Sequence, residues 1–109
     1  GGYWADQFVD YGLDPSWRLN EMGWAVVPDG CLRLLEWISE RYDHPAIYMT
    51  ENGSAEEDTL EDRGRVEYFR GYLRACSDAV RLGVKLRGYF AWSLMDNFEW
   101  QFGYSKRFG

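Results

Sequence analysis

Glu51 and Glu99 are the two carboxylates whose neighbours give them something to do. Glu51 ends a short apolar run of β-formers, Ala46-Ile47-Tyr48-Met49-Thr50, and precedes Asn52 and Gly53, which allow a tight turn. Burying an ionised carboxylate is costly unless it is hydrogen-bonded or paired. Facing a pocket, Glu51 is a nucleophile or a base; facing water, it is a solvated acid capping the next turn. Glu99 sits beside Trp100, one short loop after Trp92. A carboxylate next to an indole suits a sugar: the carboxylate accepts from two neighbouring hydroxyls while the indole covers a C–H face or donates its N–H. Taken alone, Glu99 would usually be a surface acid beside a core tryptophan. The crowding of Trp92, Phe98, Trp100, Phe102, Tyr104 and Phe108 around it favours the first reading.

The composition excludes several other chemistries. Six tryptophans stand among 109 residues, and 18% of the chain is aromatic, which suggests either flat apolar platforms for a flat-faced ligand or, equally, an aromatic-rich core. Twelve Lys and Arg against 18 Asp and Glu give a net charge of −6, the wrong sign for a nucleic-acid partner. No apolar run approaches the roughly 20 residues that a membrane helix needs. Cys31 and Cys76 form no CxxC pair and read as reduced core thiols. His44 is the only histidine and lies in Asp43-His44-Pro45, a turn, so neither a histidine-rich zinc site nor a Ser-His-Asp triad is expected. No metal and no cofactor is called for. Gly1 to Asp10 has no basic stretch leading into an apolar core, so no signal peptide is read and a cytoplasmic location is the expectation.

The elements that must position these residues follow from periodicity. Gly1 to Pro28 lacks it and carries turn signals, and so reads as a long ordered loop. A helix is expected from an Asp29 cap to Tyr42, with Cys31, Leu34, Leu35, Ile38 and Tyr42 on its apolar face. Ala46 to Thr50 reads as a buried strand, and Glu56 to Glu61 as a solvated acidic loop. A second helix is expected from Asp62 to Leu82, with Val66, Phe69, Leu73, Cys76 and Val80 as its stripe and Gly83 as its stop. Val84 to Trp92 gives a second strand. Strand, helix, strand is a βαβ unit with parallel strands, and in parallel α/β architectures the site lies beyond the carboxyl ends of the strands. That rule places the loop after Trp92 beside Glu51.

Three segments also carry a family resemblance: Thr50-Glu51-Asn52-Gly53, Gly88 through Trp100, and Gly103-Tyr104-Ser105-Lys106-Arg107-Phe108-Gly109. With Met22-Gly23-Trp24 ahead of Pro28-Asp29-Gly30, they resemble glycoside hydrolase family 1, the β-glucosidases and their relatives. The match runs from about Asn20 to the end. It implies an α/β fold, a (β/α)8 TIM barrel, which takes about 250 residues or more. Residues 1–109 would then be a partial barrel domain, a fragment running from about the sixth helix through the loop after strand eight.

The resemblance implies a retaining mechanism through two carboxylates about 5–5.5 Å apart. Glu51 resembles the nucleophile, which should be hydrogen-bonded and near positive groups. Trp92 resembles the platform under the sugar. Glu99 resembles the residue that grips the hydroxyls at C4 and C6, and Trp100 its hydrogen-bonding neighbour. Phe108 would sit near the C6 end, and Trp24 resembles the wall of the leaving-group subsite. The family's acid/base belongs to a Thr-x-Asn-Glu-Pro motif, which this sequence lacks. Asn20-Glu21-Met22 is only a distant echo without the proline. The fragment alone is therefore expected to have little or no activity, with a sugar-binding module as the alternative. A carboxylate at Glu99 would repel a phosphorylated C6, so the expected small-molecule substrate is an unphosphorylated β-glucoside.

Overall fold

The computed structural model describes residues 7–8 and 12–109. The first part of the expected N-terminal loop therefore lies mostly outside the described residues. From there the order is α1 (Pro28–Arg41), β1 (Ile47–Asn52), α2 (Arg63–Arg81) and β2 (Leu86–Ala91), followed by a single 3-10 turn at Trp100–Phe102. The two strands pair in parallel, in the register Ile47 to Leu86, Tyr48 to Gly88, Met49 to Tyr89 and Asn52 to Ala91. The expected βαβ unit is present.

Helix α1 begins one residue earlier than expected. Pro28 takes the first helical position, where its fixed φ fits and its missing N–H is not needed. Asp29 is therefore not the cap; it lies in the first turn, paired with Arg33 one turn on. The helix ends where Asp43 and His44 take positive φ values of 59° and 53°, in the turn expected before Pro45. Helix α2 starts as expected: Asp62 caps it, accepting from the Arg65 backbone N–H at 3.4 Å. Gly83, at φ 99°, ends it.

The core lies between the two helices and one face of the sheet. Leu35, Cys76, Ala79 and Val84 are buried there, ringed by Cys31, Leu32, Ile47, Met49, Leu86 and Tyr89. Burial pushes the Cys31 thiol up to about 11, so it stays protonated at neutral pH and behaves as a small apolar group. The expected stripe of α2 needs correction. Of that stripe Cys76 is buried as expected, but Val66, Leu73 and Val80 are about half exposed, whereas Arg65, Tyr68, Ala75 and Ala79, outside it, are buried. Small alanines let α2 approach its neighbours, and a ranking by hydrophobicity passes over them. On α1, Leu34 and Tyr42 likewise lie exposed while Leu35 is buried. The strands are covered on one face only: Tyr48 and Phe90 are more than half exposed, against the expectation of a fully buried β1. β1 also runs two residues past Thr50, so Glu51 and Asn52 belong to the strand itself.

The segment read as a solvated acidic loop, Glu56 to Glu61, opens on a buried residue that follows two others. Ser54 and Ala55 have no exposed surface, and Glu56 is 8% exposed. Both Arg18 guanidinium nitrogens donate to the Glu56 carboxylate, at 2.9 and 3.0 Å, and the Ser54 hydroxyl donates at 2.6 Å. Beside it, Arg65 Nη1 donates to the carbonyls of Ser54 and Arg107, at 2.8 and 2.9 Å. Burial opposes ionisation of Glu56, but the bonds from Arg18 and Ser54 and the charges of Arg18 and Arg65 outweigh it, and its pKa is lowered. Period alone cannot show this, because the acid finds its partner 38 residues earlier in the chain.

A carboxyl whose folded pKa is depressed stabilises the fold above its ordinary value of 4.5, and that stabilisation is lost as pH falls through the folded value. Glu56→Gln in the full-length protein is therefore expected to cost on the order of 2 kcal/mol at pH 7. That is below the roughly 3–5 kcal/mol for breaking a fully buried pair, because the Arg18 side chain is 43% exposed. Urea midpoints should show the gap between wild type and variant narrowing at pH 3. An equal gap at both pH values would exclude an ionised Glu56 as its source.

Candidate active site

The parallel strands bring their carboxyl ends side by side. The Trp92 N–H donates to the Asn52 carbonyl at 2.8 Å, extending the ladder one residue past β2. From this rim the chain continues into two loops, Gly53 onward and Ser93 onward, and an open cleft of about 550 Å³ lies between them. All six residues singled out from the sequence line it: Trp24, Glu51, Trp92, Glu99, Trp100 and Phe108. The predicted juxtaposition of the strand-end carboxylate with the indole-and-acid loop is the geometry found.

Glu51 lies on the exposed side of the cleft. Among the described residues no side chain hydrogen-bonds its carboxylate, so the hydrogen-bonded, cation-flanked setting expected for it is not supplied by them. Its neighbour Asn52 is held by the Tyr89 hydroxyl, which donates to Asn52 Oδ1 at 2.7 Å. Burial pushes that phenol up to about 12, so it remains a donor at neutral pH.

Glu99 is shaped by its own loop. Asn97 Nδ2 donates to Glu99 Oε2 at 2.7 Å, and the Glu99 backbone N–H reaches the Gly103 carbonyl at 2.7 Å. Closing so short a loop puts Gly103 at φ 56° and Trp100 at φ 44°. Trp100 as a result stands 78% exposed beside the carboxylate. Phe98 packs edge-on against Tyr104, with ring centroids 5.9 Å apart.

The last residues fold back over this loop. Asp96 accepts from the Gly109 N–H at 3.0 Å and from Arg107 Nη1 at 2.8 Å, and Ser93 N–H donates to the Phe108 carbonyl at 3.1 Å. The hydrogen bond from Gly109, together with Arg107, holds the Asp96 carboxyl below its ordinary range. Phe108 is thereby placed in the floor of the cleft, 2% exposed, with its ring 6.2 Å from that of Trp24. It supports Trp24 more than it offers surface.

Sequence reading left five lining residues out of its candidate site, Asn52, Gly53, Tyr68, Asn97 and Phe98. Tyr68 comes from α2, stacked on Tyr72 at 4.3 Å; the pair of tyrosines four apart was its available signal. Asn97 had a signal too, as an amide two residues before a candidate carboxylate. Among the described residues, no group of His, Cys, Asp and Glu is placed to hold a metal ion. The cleft joins carboxylates to exposed indole faces, an arrangement that fits a polyhydroxylated ring.

Comparison with known proteins agrees in scale and in kind. The model of glycosyl hydrolase family 1 matches residues 3–109. Beta-glucosidase 4 of Oryza sativa subsp. japonica is 50% identical over 92 residues, covering 77% of this chain and 19% of the relative. Beta-glucosidase A of Thermotoga maritima is 46% identical over 94 residues, covering 81% of this chain and 21% of the relative. The solved structure of a family 1 β-glucosidase from Thermotoga maritima superposes with a TM-score of 0.83 at 41% identity, over 89% of this chain and 24% of that one. The chain thus spans about a fifth of the length of these relatives. Family 1 enzymes are (β/α)8 barrels, and the βαβ unit described above is part of such a barrel.

One position ties the two rim loops together. A methyl group added at Gly53 would overlap the Trp92 carbonyl, so only glycine lets the strands close to this distance. Gly53→Ala is expected to destabilise the protein by about 1–3 kcal/mol, as overpacking does, and to shift Trp92. A thermal midpoint unchanged from wild type would show that the contact is not tight.

Proposed function

This chain belongs to glycosyl hydrolase family 1, and on that footing we propose that it carries the nucleophile and the sugar-gripping loop of a retaining β-glucosidase. The observation that carries this reading is the shared cleft: the carboxylate of Glu51 and the Glu99-Trp100 pair line one open space at the carboxyl ends of β1 and β2.

In this reading Glu51 attacks the anomeric carbon of a terminal β-D-glucosyl residue. A glycosyl–carboxylate ester forms as the bond to the leaving oxygen breaks. That oxygen takes its proton from a second carboxylic acid. Water then attacks the same carbon, gives its proton to that second group and releases Glu51. The second group is assigned to a part of the protein outside these residues, since the chain contains no Asn-Glu-Pro segment. The 109 residues by themselves are accordingly proposed to be inactive or nearly so.

Binding falls to the rest of the cleft. Trp92 offers an indole face 38% exposed, and Trp100 a more open one, for the C–H faces of the sugar. Glu99 has one oxygen engaged by Asn97 and keeps the other for ring hydroxyls. A phosphate at C6 would meet that carboxylate charge on charge, so the substrate is assigned as an unphosphorylated glucoside. The same grip would also admit galactosides or fucosides. The alternative, a non-catalytic sugar-binding module, draws on the missing acid/base motif alone. It predicts binding without turnover in the full-length protein.

Two substitutions in the full-length protein test the assignment. Glu51→Gln should lower turnover of an aryl β-glucoside by several orders of magnitude while leaving the fold intact; near-normal turnover would remove Glu51 as the nucleophile. Glu99→Ser should reduce kcat/KM on glucosides by about 2–3 kcal/mol, the scale of hydrogen bonds to a charged group. An unchanged kcat/KM would take Glu99 out of the site.

A further inference from the structure

Trp24 reaches the cleft from a small hairpin, and one side chain that does not itself line the cleft holds that hairpin shut. Leu19 and Ala25 form an antiparallel bridge, and the Val26 N–H donates to the Arg18 carbonyl at 2.8 Å. At the closed end stands Asn20, 9% exposed. Its backbone N–H donates to the Trp24 carbonyl, and its carbonyl accepts from the Gly23 N–H, both at 2.9 Å. Its side-chain Oδ1 accepts from the backbone N–H groups of Met22 and Trp24, both at 3.0 Å. Asn20 thus makes four hydrogen bonds with Trp24 or its flanking turn, two through the backbone and two through the side chain.

The other end of the amide points away from the hairpin. Asn20 Nδ2 donates to Ser54 Oγ at 3.1 Å, inside the protein. The Ser54 hydroxyl gives its own hydrogen to Glu56 at 2.6 Å and so is left as an acceptor. The polarity of this chain is therefore fixed: the carboxylate orients the hydroxyl, the hydroxyl orients the amide, and the amide oxygen is turned onto Trp24. Ser54 lies three residues beyond Glu51 on the same segment.

We propose that Asn20 and Ser54 are positioning residues that set the placement of the Trp24 wall and so tune which leaving groups the enzyme accepts. This rests on the β-glucosidase reading and adds to it a determinant of leaving-group preference. Neither residue touches the cleft, so the effect passes through Trp24 alone. A substrate whose leaving group is too small to reach Trp24 is insensitive to it.

The test uses the full-length protein with two substrates: an aryl β-glucoside with a large planar leaving group, and β-glucosyl fluoride, whose leaving group is one atom. Asn20→Ala is expected to lower kcat/KM on the aryl substrate about tenfold, the upper range for losing net hydrogen bonds, and to leave the fluoride within about twofold. On the aryl substrate the double variant Asn20→Ala/Trp24→Ala should be no worse than Trp24→Ala, because the first residue acts through the second. Ser54→Ala, a near-isosteric change, should give the same selective loss in weaker form, and it decides the matter if Asn20→Ala fails to fold. Equal losses on both substrates, or additive losses in the double variant, would reduce the pair to general structural support and overturn the proposal. Failure of the wild-type protein to turn over either substrate would instead overturn the β-glucosidase reading, and this inference with it.

Discussion

A buried carboxylate governs how the loops of this molecule meet. Glu56 is only 8% exposed, and an ionised acid so buried is costly without partners. Its partners are Arg18 from the N-terminal segment and Ser54 from its own strand extension, with Arg65 of α2 close by. Arg65 reaches in turn to the carbonyl of Arg107, whose backbone also receives the Glu56 N–H at 3.1 Å. Four stretches distant in sequence are thus pinned at one point. Each of them sends a residue to the cleft or supports one that does: Trp24, Glu51, Tyr68 and Phe108. These polar contacts join the loops alongside buried Ala55, Tyr68 and Phe108, while the main apolar cluster lies between the helices and the sheet.

The division of labour follows from the βαβ geometry. The core beneath α1 and α2 fixes the strands in parallel, and parallel strands deliver their carboxyl ends to one rim. The candidate site sits on that rim. The opposite face of the sheet carries Tyr48 and Phe90 in the open, and α2 carries Val66, Leu73 and Val80 likewise. In a (β/α)8 barrel such faces meet neighbouring strands and helices. A chain spanning about a fifth of its relatives shows those faces bare.

The fold was largely legible because its signals are local. Helical spacing, the Asp62 cap, the Gly83 stop and the turn before Pro45 each depend on a few neighbouring residues, and each is found in place. The errors have separate causes. Asp29 gave way as a cap because Pro28 already held the first helical position. The buried side of α2 turned out to be the side of Ala75 and Ala79, since close packing rewards small side chains as well as apolar ones. Glu56 was read as solvated because its ion-pair partner is remote in sequence. The site was legible in a different way: Glu51, Glu99 and the tryptophans carry distinctive chemistry, whereas Asn52, Tyr68 and Asn97 contribute through contacts that residue type does not announce.

Sequence by itself determined which side chains are present to do chemistry and, through periodicity, that two parallel strands would carry them to a common edge. Only the tertiary structure decided which face of each helix is buried, that an acid in a charged run is buried and paired with Arg18, and that Asn20 is turned onto Trp24. The physical reason is range. Caps, turns and periodicity are set by residues a few positions apart, whereas a hydrogen bond across 34 or 38 residues exists only once the intervening chain has folded to bring donor and acceptor within 3.1 Å.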